Sequence, residues 1–308
     1  MHCKNLVSVA DLEREDIDEL FALTAEMKES SKRGVTDLCL AGKTLGMIFE
    51  KSSMRTRVSF EVAMTQMGGH AIYLTKHDIN LGERESIKDV SKVLSRFIDC
   101  VAIRTYDHKT VTALADYSSV PVINALSDYT HPCQALTDLY TIKEKIGSLD
   151  NVKLSYVGDG NNVARSLAFL CAKLKVSCTI ASPENYELSA EFLDELENYV
   201  KGKDSYIKQN RDPREAVKDA DIIYTDTWIS MGEEAEAETR RKDFNGFQVN
   251  SELISYAKKD VFVMHCLPAH RGEEITDDVI DGEHSIVYDQ AENRLHVQKA
   301  LLKLLISR

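Results

Sequence analysis

The chain has 308 residues, of which 43% are hydrophobic and 29% charged, a composition that suits a globular protein and excludes collagen-like, coiled-coil and wholly disordered classes. Its length exceeds the roughly 100–200 residues of one usual core, so two domains of similar size are expected. The formal charge is −12; residues 1–150 carry 18 Lys+Arg against 22 Asp+Glu and residues 151–308 carry 20 against 28, so neither half is a basic module. Nucleic acid and anionic membrane are therefore not expected as partners. No apolar run reaches the roughly 18–20 residues of a membrane span. The start, Met1 to Leu6, leads into acidic Asp11–Glu19 instead of a signal-peptide core, which predicts a cytoplasmic protein. Seven cysteines without a C-x-x-C pair suggest neither a disulfide framework nor a zinc ribbon.

In chain order, helical periodicity falls near 11–30, 55–67, 86–97, 109–118, 133–146, 163–174, 189–200, 251–258 and 290–306. Strand-like apolar runs fall near 44–49, 70–74, 100–104, 121–124, 153–157, 177–181, 221–226, 261–265 and 285–288. Strands alternating with helices predict an α/β protein of two domains, each a mostly parallel sheet flanked by helices. The helix after His131 is expected to bridge them, and the last segment, Ala291–Ile306, carries an apolar stripe able to dock.

Ligands of such sheets sit beyond the carboxyl ends of strands. After Leu45–Phe49 comes Ser53-Met54-Arg55-Thr56-Arg57, then an apolar helical face. Ser53 can cap that helix while free N–H groups, hydroxyls and guanidinium groups converge, as a phosphate site requires. On these residues alone, a capped helix with two solvated arginines explains the segment equally well. A second strand ends in Arg104, and Pro121–Asn124 leads to His131-Pro132-Cys133-Gln134 at a helix start. Gly158-Asp159-Gly160-Asn161-Asn162 follows Leu154–Val157 and invites a dinucleotide reading. The third glycine of G-x-G-x-x-G would fall at Val163, however, and Ala181-Ser182-Pro183 stands where an acidic strand end belongs. His265-Cys266 suggests neither a metal site nor a cysteine nucleophile, since neighbours at a strand end should point apart and no further ligand pair is evident.

Taken together, S-x-R-T-R, the strand-end Arg104, H-P-x-Q, Asp226-Thr227-Trp228-Ile229-Ser230-Met231-Gly232, His265-Cys266-Leu267-Pro268 and Ala291-Glu292-Asn293-Arg294 resemble, in order, the motifs of the aspartate/ornithine carbamoyltransferase family. The second half is similar to its ornithine branch, and the resemblance runs from about residue 5 to the end. It implies a carbamoyl-phosphate-binding domain over 1–134, completed by a C-terminal helix over 290–308, an ornithine-binding domain over 135–289, and an active site in the interdomain cleft. It implies transfer of the carbamoyl group to the δ-amine of L-ornithine, giving L-citrulline and phosphate by direct amine attack. Carbamoyl phosphate would be held by Ser53, Met54, Arg55, Thr56, Arg57, Arg104, His131, Gln134, Cys266, Leu267 and Arg294. Ornithine would be held by Asn162, Asp226, Ser230 and Met231, and Arg104, His131, Asp226 and Cys266 would carry the chemistry. The family's pattern further implies a homotrimer or multiple of trimers, with Asn80 reaching a neighbour's site, and neither cofactor nor metal. Cys133, at the variable place of H-P-x-Q, reads as packing.

Overall fold

Apolar runs that continue through whole strands, without the alternation of a sheet wet on one face, demand cover on both faces. The computed structural model, which describes residues 1–202, 204–230, 232 and 234–307, meets that demand with two parallel sheets and flanking helices. The chain divides into unit 1, Met1–Tyr140 with Glu292–Arg308, and unit 2, Thr141–Ala291.

Unit 1 contains α1 (Arg14–Lys32), β1 (Thr44–Phe49), α2 (Met54–Gln66), β2 (His70–Thr75), α3 (Lys76–Ile79), α4 (Ile87–Leu94), β3 (Cys100–Arg104), α5 (His108–Tyr117), β4 (Val122–Leu126) and the start of α6 (Pro132–Ile146). Its four strands run parallel in the order β2-β1-β3-β4. Ile48, Val101, Ile103 and Val122 from three strands pack with Val111 and Leu114 of α5, each such buried side chain contributing roughly 1.5–3 kcal/mol relative to exposure.

Unit 2 contains β5 (Lys153–Val157), α7 (Asn162–Leu174), β6 (Ser177–Ala181), α8 (Ala190–Val200), β7 (Ile207–Asn210), α9 (Pro213–Val217), β8 (Ile222–Thr225), α10 (Ala237–Asp243), α11 (Ser251–Ile254), β9 (Phe262–His265), α12 (Asp277–Ile280) and most of the lead into α13 (Val287–Ile306), which ends in unit 1. The strand order is β7-β6-β5-β8-β9, again parallel throughout. Val157, Ile223 and Val263 meet Val217, Phe244, Leu253 and Val279 in one core.

Each sheet has one point where the order of strand addition reverses, between β1 and β3 in unit 1 and between β5 and β8 in unit 2. Loops leaving the carboxyl ends there diverge and leave a crevice. Ser53, Asn162 and Asp226 lie in the segments that follow β1, β5 and β8, and Arg104 is the last residue of β3.

Two expected elements differ. Residues 285–288 form no strand: Ser285 makes a single bridge to Val263, and the chain turns at once into α13 from Val287. The helix near 251–258 stops at Ile254, because the Lys258 N–H donates instead to Ala220 O at 3.3 Å. Strand β7 lacked an apolar run, being Ile-Lys-Gln-Asn on the sheet edge. Among the described residues no helix is long and apolar enough to cross a membrane.

Candidate active site

In unit 1 the reversal point is lined with buried cations. Ser53 adopts an extended backbone and its Oγ accepts the Thr56 N–H at 3.3 Å, so the serine caps α2. Thr56 is buried in the first turn, and Arg294 Nη2 donates to its Oγ1 at 3.1 Å. Met54 projects its side chain to solvent, which leaves its backbone N–H, at a helix start, as its contribution. Across the reversal point the β3–β4 register shifts between Ile103 and Arg104, with Ala125 of β4 as the extra residue, and Arg104 is buried there.

His131 precedes Pro132, the first residue of α6, and its carbonyl accepts the N–H groups of Gln134 and Ala135 at 3.1 and 3.2 Å. The imidazole is buried; burial first, then the Arg294 and Arg104 guanidinium groups, hold its pKa well below the ordinary histidine value. It is a neutral ring among cations. Gln134 is fixed at both ends: Arg294 Nη1 donates to its Oε1 at 2.6 Å, and its Nε2 donates to Asp138 Oδ1 at 2.8 Å. Asp138, fully buried one turn on, escaped the sequence reading because nothing in an α6 pattern marks it.

The structure thus brings together Ser53, Thr56, Arg104, His131, Gln134 and Arg294. Arg55 is half-buried beside Thr56 on α2. Arg57 is exposed and engaged on α2 and β2. Its Nε donates to Glu61 one turn on at 2.9 Å, and its guanidinium lies 3.8 Å from the Tyr73 ring centre. Asn80 ends α3 in a left-handed conformation, φ +46°. Cys133 is fully buried, its thiol pushed up to about 12 by burial, as a packing residue should be.

Unit 2 gathers acid and thiol. Asp226 follows β8 and is buried; its Oδ1 accepts the Cys266 thiol at 2.9 Å and the Thr227 N–H at 2.8 Å. Its Oδ2 accepts Asn161 Nδ2 at 2.9 Å. Asn161 thus contacts the aspartate, and Asn162 is the first residue of α7. Ser230 is half-buried in the loop after β8, and Met231 lies outside the described residues. Beneath this group Tyr156 and Tyr224 stack with centroids 5.7 Å apart. Burial, then Asp226, Asp159 and Cys266, push the Tyr156 phenol well above its ordinary value, so it stays protonated.

The glycines of the loop after β5 have their own explanation. A Cβ on Gly160 would meet Leu188 N at 2.7 Å and Tyr186 O at 2.8 Å, so glycine is needed there for the close approach of the chain's own backbone. The same loop is tied down by Arg240, whose Nη1 donates to Asp159 Oδ2 at 2.8 Å and to Trp228 O at 3.0 Å.

The expectation that His265 and Cys266 point apart needs correction. Ligand atoms of Asp226, His265 and Cys266 lie within 4.8 Å of one another. Leu267 takes a left-handed turn, φ +56°, and folds its N–H back onto His265 Nδ1 at 2.8 Å. That contact makes Nδ1 an acceptor, so Nε2 carries the proton toward Glu274 Oε1 at 3.0 Å. With both ring nitrogens engaged, no lone pair of His265 is left for a metal in this arrangement. Gln290 completes the support, its Oε1 accepting the His265 N–H at 3.0 Å.

Residues 4–144 match the family described as "Aspartate/ornithine carbamoyltransferase, carbamoyl-P binding domain", and residues 150–305 match its "Asp/Orn binding domain". The chain is 52% identical over 303 residues to an ornithine carbamoyltransferase of Pyrococcus abyssi, covering 98% of this chain and 96% of the relative. It is equally 52% identical, over the same shares, to the ornithine carbamoyltransferase of Pyrococcus furiosus described as anabolic. A solved structure of the ornithine carbamoyltransferase from Pyrococcus furiosus superposes with a TM-score of 0.95 over 98% of this chain and 96% of that one, at 52% identity.

Proposed function

The chain belongs to the aspartate/ornithine carbamoyltransferase family, and from that premise we propose that it transfers the carbamoyl group of carbamoyl phosphate to the δ-amine of L-ornithine, giving L-citrulline and phosphate. The observation that supports this most is the pairing, in one chain, of a buried arginine cluster around a neutral His131 with an Asp226–Cys266 pair. Carbamoyl phosphate, small and doubly anionic, goes to unit 1. Ser53, Met54 through its backbone, Arg55 and Thr56 take the phosphate at the start of α2, with Arg57 supporting from outside the group. Arg104, His131 and Thr56 take the carbonyl oxygen, where negative charge grows as the amine adds. A neutral imidazole donates a hydrogen bond there without adding a third cation to Arg104 and Arg294.

Ornithine goes to unit 2, its α-ammonium and carboxylate held by Asp226, Asn162, Ser230 and Met231. The carbamoyl amide is taken by Gln134, Cys266, Leu267 and Arg294, as the family pattern implies. An alkylammonium ordinarily keeps its proton to about pH 10, and only the neutral amine attacks. The Asp226–Cys266 pair orients that amine. Nitrogen bonds to the carbonyl carbon, a tetrahedral intermediate forms, and the C–O bond to phosphate breaks with phosphate taking a proton from nitrogen. Most of the acceleration comes from orientation and oxyanion stabilisation. Following the family pattern, the enzyme works as a homotrimer or a multiple of it, with Asn80 completing a neighbour's site. In an assay with carbamoyl phosphate and ornithine, putrescine or aspartate supplied side by side, citrulline from ornithine is the expected main product. Preferential carbamoylation of putrescine or aspartate would overturn the acceptor assignment.

A further inference from the structure

Asn161 stands between two elements that the reaction needs in register. As the cap of α7 it adopts an extended backbone, and its Oδ1 accepts the N–H groups of Val163 and Ala164 at 2.9 and 3.1 Å. Those two donors dictate which way the amide faces. The nitrogen must turn outward, and it donates to Asp226 Oδ2 at 2.9 Å. Tyr156 Oη lies 3.5 Å behind Oδ1, while Gly160, which cannot carry a Cβ, locks the preceding backbone against Tyr186–Leu188. With Oδ2 taken by Asn161, the other carboxylate oxygen is left to the Thr227 N–H and the Cys266 thiol.

We propose that Asn161 is a positioning residue: it ties the Asp226 carboxylate to the first turn of α7, fixing the oxygen that meets Cys266 and, through it, the approach of the acceptor amine. The inference deepens the proposed carbamoyl transfer and rests on it. It also explains why the position is filled by asparagine. Serine or aspartate would cap a helix as well, but serine lacks the outward donor and aspartate would set a second carboxylate against Asp226.

The titratable neighbours of the Asp226–Cys266 pair are Tyr156 on β5, Asp159 with its Arg240 partner, His265 with Glu274, and His270, which meets Thr227 Oγ1 at 3.1 Å. Of these, Tyr156 also touches Asn161, at 3.5 Å, but its phenol stays protonated and uncharged, so a shift of the pair can be assigned to the change at Asn161. The test uses Asn161→Ser and Asn161→Asp in the full chain, both of which keep a cap and should keep the melting temperature within a few degrees. Alkylation of Cys266 by iodoacetamide, followed on its own peptide by mass spectrometry across pH, reads the pair without turnover. In Asn161→Asp the alkylation midpoint should rise by about one pH unit, since a like charge disfavours the thiolate. In Asn161→Ser the KM for ornithine should rise several-fold, with the KM for carbamoyl phosphate unchanged. An unmoved midpoint together with an unmoved ornithine KM would overturn the inference, as would equal rises in both KM values with a lowered melting temperature. A shifted midpoint in a chain whose unaltered form makes no citrulline would overturn the functional reading alone. Citrulline formation with both the midpoint and the ornithine KM unmoved would overturn this inference alone.

Discussion

The two candidate sites occupy the same topological place in their own sheets, yet they are built from opposite charge. In unit 1, Arg104 and Arg294 surround a histidine that burial and those same arginines keep neutral. In unit 2, one buried carboxylate, Asp226, is satisfied by an amide, a backbone N–H and a thiol. The difference shows that a parallel sheet supplies a crevice and helix starts, while the ligand's charge is selected by a few side chains on the loops. It also shows how a chain of net charge −12 takes an anion: local gathering of cations outweighs the average.

The comparison is broken most severely from the cationic side. Replacing Arg104 or His131 by Ala removes a donor to the growing oxyanion, and kcat should fall by about 10²–10³-fold. A loss of less than tenfold in steady-state assays would remove these residues from the chemistry. On the acidic side, Cys266→Ser keeps a hydroxyl donor to Asp226 but removes the more acidic thiol, and turnover should fall by about 10-fold to 10²-fold with activity retained. Accumulation of a carbamoylated enzyme in wild type, seen by mass spectrometry, would instead favour a covalent route.

Arg240 sharpens the contrast, since it is a cation serving the acidic unit. Its pair with Asp159 is nearly buried, so Arg240→Ala should cost about 3 kcal/mol of stability and raise the KM for ornithine alone. Chemical denaturation and separate KM values check both parts. Acid should weaken unit 1 through His131. An unfolded histidine takes up a proton near 6.5 and the native one resists it, so the unfolded chain binds more protons below that pH. Stability from this group is complete above about pH 6.5 and is lost as pH falls toward the lowered native value. Melting temperatures should hold from pH 8 to about 6.5 and decline from there to pH 5, less steeply in His131→Asn. Asn80→Ala should have the smallest effect, a loss of a few-fold in carbamoyl-phosphate use. An isolated monomer with full activity would contradict the assembly.

What was legible in the sequence were residues whose place is announced by local pattern: Ser53 before an apolar helix, Arg104 at a strand end, His131 before Pro132, and Asp226 after β8. What was not legible depends on long-range pairing. Asn161 and Asp226 are 65 positions apart and meet only because β5 and β8 are neighbours. The contact of Arg57 with Tyr73 on β2 is likewise not written in the local pattern. His265 and Cys266 should point apart on an ideal strand, but β9 ends at His265 and the left-handed Leu267 folds the chain back. Strand β7 is short and polar on an edge, where no apolar run is needed.

The division of labour between the units is tested most directly by a crossed kinetic measurement, in which the KM of each substrate is determined at saturating co-substrate in Arg55→Ala and in Asp226→Asn. The account predicts a rise of more than about tenfold for carbamoyl phosphate alone in the first variant and for ornithine alone in the second. Equal rises for both substrates in either variant, or the reverse assignment, would contradict it.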